Sequence, residues 1–241
     1  MSVYREFNYL DYYKNEERRG DSSLDKPVLS LMNINSYPQG QRSETRILDV
    51  GFGSGSLLKT LSKQGFQMSG IEISGAIIVS LKKEAEVEKF KVDLIKGDIL
   101  NSPFPDNHFD IVIALEILEH IFSPQKMAKE LSRILKTGGV LIVSTPYQQK
   151  IKYEKCVFCH RLTPRDAHLH SFSEKDLREL FKEAGFEAEK KKICFSKIDK
   201  FPFLKIFYIF PIALFLDWLD LKISNKTGLF PPFIIMKFRR K

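Results

Sequence analysis

Residues 48–58, LDVGFGSGSLL, limit the folds open to this chain more than any other stretch. An apolar run, RILDV, comes first, then three glycines, Gly51, Gly53 and Gly55, and then a segment with helical apolar spacing. Glycine lets the backbone turn tightly and lets a ligand come close to it. The pattern therefore predicts a strand, a turn and a helix, with a ligand beside the free N–H groups of the first helical turn.

The acidic residues around this turn narrow the type of ligand. Glu72 ends the next predicted strand, about 20 residues beyond the glycines, where an acidic side chain can bind the hydroxyls of a ribose. Asp49 stands two residues before Gly51, and the glycines are spaced G-x-G-x-G. Dinucleotide sites use G-x-G-x-x-G instead. The sequence thus predicts a nucleoside ligand that is neither a nicotinamide nor a flavin dinucleotide.

Strand and helix signals alternate from residue 45 onward, which predicts an α/β fold with a doubly wound, mostly parallel sheet. FDIVIAL is almost wholly apolar, as in a strand covered on both faces. SEKDLRELFKEAGF begins with a Ser-x-x-Asp capping pattern and ends near a glycine. The strand candidates are residues 45–50, 66–73, 91–99, 109–115, 139–145, 186–195 and 232–240. The helix candidates are residues 56–65, 76–88, 123–139 and 173–186.

Composition limits the class of protein. With 241 residues, 43% of them hydrophobic, the chain can bury one sizeable core, alone or with a subdomain. Three cysteines do not make a disulfide framework, and the first 20 residues lack a signal-peptide pattern, so we expect a cytoplasmic protein. The net charge of +8 fits either an anionic partner or simply solvated lysine-rich faces.

Residues 45–145, and more loosely those up to 193, resemble the class I S-adenosylmethionine-dependent methyltransferases. LDVGFGSG, GIEIS, GDI, FDIVIALEILEHI and ILKTGGVLIVSTP are similar to successive motifs of that family. The resemblance implies a Rossmann-like, seven-stranded sheet with its last strand antiparallel and a helical cap. It also implies that Glu72 binds the ribose of S-adenosylmethionine, and that Asp98 and Ile99 flank the adenine. The implied cofactor contacts are Asp49, Gly51, Gly53, Gly55, Glu72, Asp98, Ile99 and Leu115.

The segment after the fourth strand candidate contains the candidate catalytic residues, Glu116, Glu119 and His120. Methyl transfer requires the acceptor to be aligned and, where needed, deprotonated. A histidine can remove a proton from a hydroxyl near neutral pH. The alternative is that LEILEH forms only a structural turn. The segment lacks the N/D-P-P-Y group of adenine N6-methyltransferases, and no cysteine follows a proline, as C5-cytosine methylation requires.

The same residues allow a metal-dependent alternative. The E-x-x-E-H group is similar to one in the small-RNA 3′-terminal 2′-O-methyltransferases, where it binds a divalent ion together with a later histidine. Ubiquinone-biosynthesis O-methyltransferases have a similar segment. Here the later histidine would be His168 or His170, and oxygen and imidazole ligands suit Mg²⁺ or Mn²⁺. Nucleic acid is nevertheless not the partner that we favour.

Cysteines and histidines meet in CVFCHRLTPRDAHLHSF, residues 156–172. Zinc prefers four tetrahedral Cys and His ligands, so Cys156, Cys159, His168 and His170 are a candidate zinc site, with His160 as a competing ligand. The segment resembles a Cys-x-x-Cys insertion in some bacterial methyltransferases, but His160 and Ala167 stand where glycines are usual there. The alternative is a polar loop with reduced cysteines. The two metal hypotheses compete for His168.

Two further segments complete the organisation that we predict. Residues 1–44 form a cap on the substrate side, and residues 45–241 form the methyltransferase domain, interrupted at 146–171 and at 196–230. Residues 201–221 are long and apolar enough to suggest a membrane span, but they contain Lys205, Pro211 and Asp217. They therefore either cap the core and pocket or lie in a membrane interface.

These observations together predict a methyltransferase that uses S-adenosylmethionine and acts on an oxygen, or less favourably a nitrogen, of a small or lipid-linked acceptor. The first alternative is a metal-dependent RNA 2′-O-methyltransferase. The second is a non-catalytic cofactor-binding protein at a membrane surface. The identity of the acceptor does not follow from the sequence, because substrate choice depends on the segments that least resemble the family.

Overall fold

Seven strands form a single sheet in the computed structural model, which describes residues 24–155, 160, 162–194 and 232–241. The described strands are β1 (Arg46–Val50), β2 (Gln67–Glu72), β3 (Asp93–Lys96), β4 (Phe109–Leu115), β5 (Leu135–Pro146), β6 (Tyr153–Lys155), β7 (Leu162–Pro164), β8 (Phe186–Cys194) and β9 (Phe233–Arg240). Their order in the sheet is β3-β2-β1-β4-β5-β9-β8, and β6 pairs only with β7.

The direction of the strands confirms the predicted fold class. Strands β1 to β5 run parallel to one another, whereas β9 runs antiparallel to both β5 and β8. The chain moves outward from β1 to β3 and then crosses to the other side of β1 to form β4. This reversal is a topological switch point, which in open α/β sheets opens a crevice at the carboxyl ends of the strands.

Helices cover both faces of the sheet. The described helices are α1 (Asp25–Met32), α2 (Gln39–Arg42), α3 (Ser56–Lys63), α4 (Gly75–Glu88), α5 (Pro124–Ile134) and α6 (Glu174–Glu183). Short 3₁₀ turns span Ile34–Ser36, Ile99–Asn101, Leu118–His120 and Arg165–Ala167. The predicted capping box is present at α6, where Ser173 and Asp176 exchange hydrogen bonds between side chain and backbone.

The side chains of each strand point alternately to the two faces of the sheet, and the core therefore has two layers. Ile113 of β4 packs in the layer with α1, α3 and α4, and its neighbour Val112 packs in the layer with α5 and α6. Both side chains are fully buried. Because successive residues of a strand point to opposite faces, an apolar run such as FDIVIAL supplies both layers at once.

The structure differs from the sequence prediction at two places. Helix α5 ends at Ile134, because Leu135 already pairs with Phe109 of β4 and thus begins β5. The turn-forming Gly138 (φ 76°) lies within this strand rather than just beyond a helix. In addition, β6 and β7 form a small antiparallel ladder inside the segment that we had expected to be a loop.

Several predicted features lie outside the described residues. These are Cys156, Cys159 and the whole apolar segment 196–230, so their zinc-binding and membrane roles stay predictions. Within the ranges that the structure describes, no helix combines the length and the apolarity needed to cross a bilayer.

Candidate active site and cofactor pocket

A cavity of about 250 Å³ lies at the carboxyl ends of β1, β2 and β4, at the switch point of the sheet. Seven of the eight predicted cofactor contacts line it, together with the predicted catalytic residues Glu116 and His120. Those seven are Asp49, Gly51, Gly53, Glu72, Asp98, Ile99 and Leu115. The topology therefore brings to one place residues that are up to 71 positions apart, from Asp49 to His120.

The glycines of the turn have different structural roles. Gly51 has φ 64°, which favours glycine, and a Cβ built on it would lie 2.1 Å from Cδ1 of Ile117, so any other residue would strain the turn and displace that side chain. Gly55 does not line the cavity. Its φ is 71°, and a Cβ there would lie 2.6 Å from Cδ2 of Leu81 in α4. Gly55 thus permits close packing of two helices rather than close approach of a ligand.

Glu72 ties the end of β2 to the glycine turn. Its Oε1 accepts hydrogen bonds from the N–H groups of Ile73 (2.8 Å) and Ser74 (3.1 Å), and its Oε2 accepts one from Gly53 (3.4 Å). These bonds fix the orientation of the carboxylate at the wall of the cavity. A carboxylate has about four acceptor positions, so Glu72 can still accept hydroxyl donors from a ligand.

Four acidic side chains line this half of the cavity: Asp25, Asp49, Glu72 and Asp98. Burial raises the pKa of Asp49 well above its ordinary value, and the charges of Asp25 and Glu72 raise it further. Asp25 lies at the start of α1, and its Oδ2 accepts a hydrogen bond from Oγ of Ser56 (2.7 Å). A pocket with this charge favours a ligand that carries positive charge.

Glu116 occupies a strained position where the chain leaves β4. Its φ is 55°, which non-glycine residues rarely adopt. Ser144 of β5 holds it there: the Glu116 N–H donates to the Ser144 carbonyl (3.1 Å), and Ser144 Oγ donates to Glu116 Oε1 (2.6 Å). Burial raises the pKa of Glu116 well above its usual range, and the nearby Glu119 raises it further.

Glu119 and His120 follow within the same 3₁₀ turn. Glu119 is 1% exposed, and its carboxyl lies close to Thr145 and Glu116, although neither oxygen has a hydrogen bond of good geometry among the described residues. Burial raises the pKa of Glu119 to about 8. Nε2 of His120 lies 3.9 Å from Oε1 of Glu119. Burial lowers the pKa of His120 to about 3, and the neighbouring His168 contributes to that shift.

The histidine segment packs directly on this turn. The N–H groups of Leu169 and His170 donate to the Glu119 carbonyl (2.7 and 3.2 Å). The ring of His168 contacts that of His120, with centroids 4.7 Å apart at an angle of 71°. Burial lowers the pKa of both His168 and His170. His168, which we predicted as a zinc ligand, thus lies beside the predicted catalytic residues.

Other lining residues were not anticipated from the sequence. Leu24 and Asp25 enter the cavity from the segment before β1, and Ile117 and Ile121 enter after β4. The first 44 residues show no clear periodicity that would have singled out Asp25. Ile117 and Ile121 lie among other apolar residues, and only the fold shows that they reach the cavity.

The strand order, the glycine turn and the acidic residue at the end of β2 are those of the Rossmann-like fold of class I methyltransferases. A family model described as "Methyltransferase domain" matches residues 21–191, which are 171 of the 241 residues. The chain belongs to this family.

Curated relatives match a shorter stretch. A ubiquinone biosynthesis O-methyltransferase of Coxiella burnetii is 35% identical over 99 residues, which cover 41% of this chain and 42% of that protein. The corresponding enzyme of Bradyrhizobium diazoefficiens is 33% identical over 100 residues, which cover 42% of this chain and 39% of that protein. The chain therefore spans only about two fifths of the length of these relatives.

Solved structures match nearly the whole fold at low identity. The [4+2]-cyclase SpnF aligns with a TM-score of 0.62 at 21% identity, over 95% of this chain and 85% of that one. Phosphoethanolamine N-methyltransferase 2 of Haemonchus contortus, in complex with S-adenosyl-L-methionine, aligns with a TM-score of 0.60 at 16% identity, over 89% of this chain and 52% of that one. At these identities the likeness concerns the fold, and one fold can host different reactions.

Proposed function

We propose that the protein binds S-adenosylmethionine in the cavity and transfers its methyl group to an oxygen of a small acceptor. The observation that carries the proposal is the shape of the cavity, which joins the glycine turn and Glu72 to Glu116 and His120. One end thus has the groups that a nucleoside needs, and the other has groups that can bind and deprotonate an acceptor.

The cofactor half of the cavity fits this ligand in its charge and in its hydrogen-bonding groups. Glu72 would accept the ribose hydroxyls, and Asp98 and Ile99 would contact the base. Asp25 and Asp49 would face the positively charged part of the ligand, because burial and mutual repulsion make a cationic partner favourable there. When bound, S-adenosylmethionine supplies a methyl group attached to a positively charged sulfur.

The other half would align the acceptor. Glu116 and His120 line the cavity, and Glu119 lies directly behind His120. We propose that His120 positions the acceptor oxygen, and that Glu116, whose raised pKa suits a proton acceptor better than the low pKa of His120, takes the proton as the oxygen–methyl bond forms. Oxygen is favoured over nitrogen because the curated relatives are named as O-methyltransferases. No observation on the described residues favours the RNA-directed or the non-catalytic membrane alternative.

Calorimetric titration with S-adenosylmethionine tests the cofactor half. Gly53→Arg places a long side chain in the cavity, so we expect binding to be abolished. Gly40→Ala is the matched control, because a Cβ at Gly40 meets nothing within 4 Å. We expect this variant to bind as the parent does. A parent protein that shows no binding would end the proposal.

Transfer of labelled methyl groups to a panel of hydroxylated aromatic acceptors tests the acceptor half of the cavity. Loss of a side chain that orients the reacting oxygen slows an enzyme about 10²-fold. We therefore expect His120→Ala to lower kcat by about that factor while leaving the Kd for S-adenosylmethionine unchanged. Equal turnover by the variant and the parent would remove His120 from the mechanism.

A further inference from the structure

Asp49 is the most deeply buried acidic side chain in the cofactor half of the cavity. It is 5% exposed, and within the described part of the chain its carboxylate has neither a hydrogen bond nor an ion pair. The side chain nevertheless lines the cavity. A buried carboxylate without a partner is costly in free energy. A cationic ligand at this wall would supply the partner that the described residues do not.

Asp25 brings a second carboxylate to the same wall. Oγ of Ser56, at the start of α3, donates a hydrogen bond to Oδ2 of Asp25 (2.7 Å). Burial raises the pKa of Asp49, and the charge of Asp25 raises it further, because the two carboxylates lie close enough to repel each other. Asp25 lies before β1, outside every motif that resembles the methyltransferase family. The resemblance therefore does not imply a role for it.

The wall of the cavity has no basic side chains to balance these acids. Among the described residues that line it, none is a lysine or an arginine. Burial lowers the pKa of His120 to about 3, so that its imidazole is uncharged near neutral pH. Glu72 and Asp98 add two further acidic groups. Because charges interact more strongly inside a protein than in water, the net charge of a ligand should strongly affect its affinity here.

The substrate and the product of methyl transfer differ by one charge. S-adenosylmethionine has a positively charged sulfur, whereas the sulfur of S-adenosylhomocysteine is neutral. The adenosine, the ammonium group and the carboxylate are common to both molecules. An acidic wall without basic side chains therefore attracts the substrate more strongly than the product. Transfer of the methyl group removes this attraction when the product has to leave.

We propose that Asp25 and Asp49 select the ligand by its charge, so that the site retains S-adenosylmethionine and releases S-adenosylhomocysteine. Asp25 is then a specificity residue, and Ser56 positions it through the hydrogen bond between their side chains. This selection rests on the proposed function, because it takes place in the same cavity. Its consequence is regulatory: accumulated S-adenosylhomocysteine should inhibit the enzyme only weakly.

Calorimetric titration of the full chain with three ligands tests this selection. The third ligand is sinefungin, which has a protonated amine where S-adenosylmethionine has its charged sulfur and methyl group. We expect the parent to bind both cationic ligands about tenfold or more tightly than S-adenosylhomocysteine. Sinefungin separates the effect of charge from that of the methyl group, because it has the charge without a methyl group to transfer.

Variants test the residues themselves. Asp25→Asn keeps the shape of the side chain and removes its charge. It should lower the affinity for both cationic ligands about tenfold and leave that for S-adenosylhomocysteine unchanged. Ser56→Ala should produce the same pattern with a smaller change, because the charge of Asp25 remains. Glu86→Gln removes an acidic charge from an exposed position on α4 and is the matched control, with all three affinities unchanged.

The three-ligand comparison separates failure of the selection from failure of the proposed function. Binding of S-adenosylhomocysteine by the parent as tightly as S-adenosylmethionine would overturn the selection and leave the proposed function intact. An unchanged ratio of the affinities in Asp25→Asn, whether all three fall together or none falls, would also overturn it. A parent protein that binds none of the three ligands would end both the proposed function and the selection.

Discussion

Glu116 and Ala167 both have left-handed backbone geometry, and both lie next to the turn that contains Glu119 and His120. Their φ angles are 55° and 56°. This geometry costs a residue with a side chain about 1–2 kcal/mol. The surrounding bonds hold both in place, because Glu116 is anchored to Ser144, and the carbonyl of Ala167 faces Nδ1 of His120. Strain of this kind tends to persist where geometry matters for function.

We expect Ala167→Gly to raise the free energy of unfolding by about 0.5 kcal/mol. Glycine relieves the strain at φ 56° but loses more conformational entropy on folding, so a small gain remains. Urea denaturation measures this change. Ala85→Gly in α4 is the matched control and should lower the free energy of unfolding by about 1 kcal/mol. An equal loss in both variants would show that position 167 is not strained.

The position of a functional residue could be predicted from the sequence where that residue lies at the end of a strand. Asp49 and Glu72 follow this rule, because the carboxyl ends of parallel strands meet at one edge of the sheet. The contact between His120 and His168 could not be predicted in the same way, since it joins turns 48 positions apart in the sequence. The role of Gly55 depends on Leu81 in another helix, which no local pattern reveals.

A network of ion pairs joins helices α3 and α4. Lys59 contacts Glu84 and Glu88, and Lys63 contacts Glu88 at 2.8 Å. Hydrogen bonds from Lys59 and then Lys63 lower the pKa of Glu88 from an ordinary value of 4.5 to about 2. Because α3 begins at the glycine turn, this network helps to hold the turn against the neighbouring helix.

The lowered pKa of Glu88 gives a stability effect with a definite sign. A depressed carboxyl pKa stabilises the fold fully above pH 4.5, and this stabilisation is lost as the pH falls to about 2. We therefore expect Glu88→Gln to unfold at lower urea concentration than the parent at pH 7, with the difference closing at low pH.

Added salt should reduce the difference in stability between Glu88→Gln and the parent at pH 7, because exposed charges are screened. Glu86→Gln removes an equal charge from an exposed position on α4 and serves as the control. If both variants lose the same stability at pH 7, net charge rather than this network is responsible.

At the scale of elements, the apolar pattern predicted which strands and helices are present, but it did not predict where each one ends. Every predicted sheet strand is present, and central strands such as β1 and β4 are short apolar runs that the two layers of the core cover on both faces. The end of α5 was misplaced, because Leu135 continues the helical apolar spacing while its backbone pairs with β4. The β6–β7 ladder was missed, because Tyr153–Lys155 is exposed and has no apolar alternation.

At the scale of the whole molecule, one ligand would connect segments that are distant in the sequence. The cavity joins the start of α1, the glycine turn after β1, the end of β2 and the turn after β4. Unfolding separates these segments, so S-adenosylmethionine should bind only the native state and stabilise the fold by mass action.

Chemical denaturation with and without ligand tests this expectation. At a free ligand concentration of 100 times Kd, we expect the free energy of unfolding to rise by about 2.7 kcal/mol. Gly53→Arg should show no rise, whereas Gly40→Ala should show the full effect. A parent protein that binds the ligand without this stabilisation would mean that the unfolded chain binds it as well.

The strand order also determines when the sheet can be completed during synthesis. Strand β8 leaves the ribosome before β9, yet β9 lies between β8 and β5. Until residues 233–240 emerge, β5 therefore has an open edge, and β8 lacks its neighbour in the described sheet. Open edges pair readily with other chains. A nascent chain that stalls before residue 233 would thus expose a binding site for chaperones or for a second nascent copy.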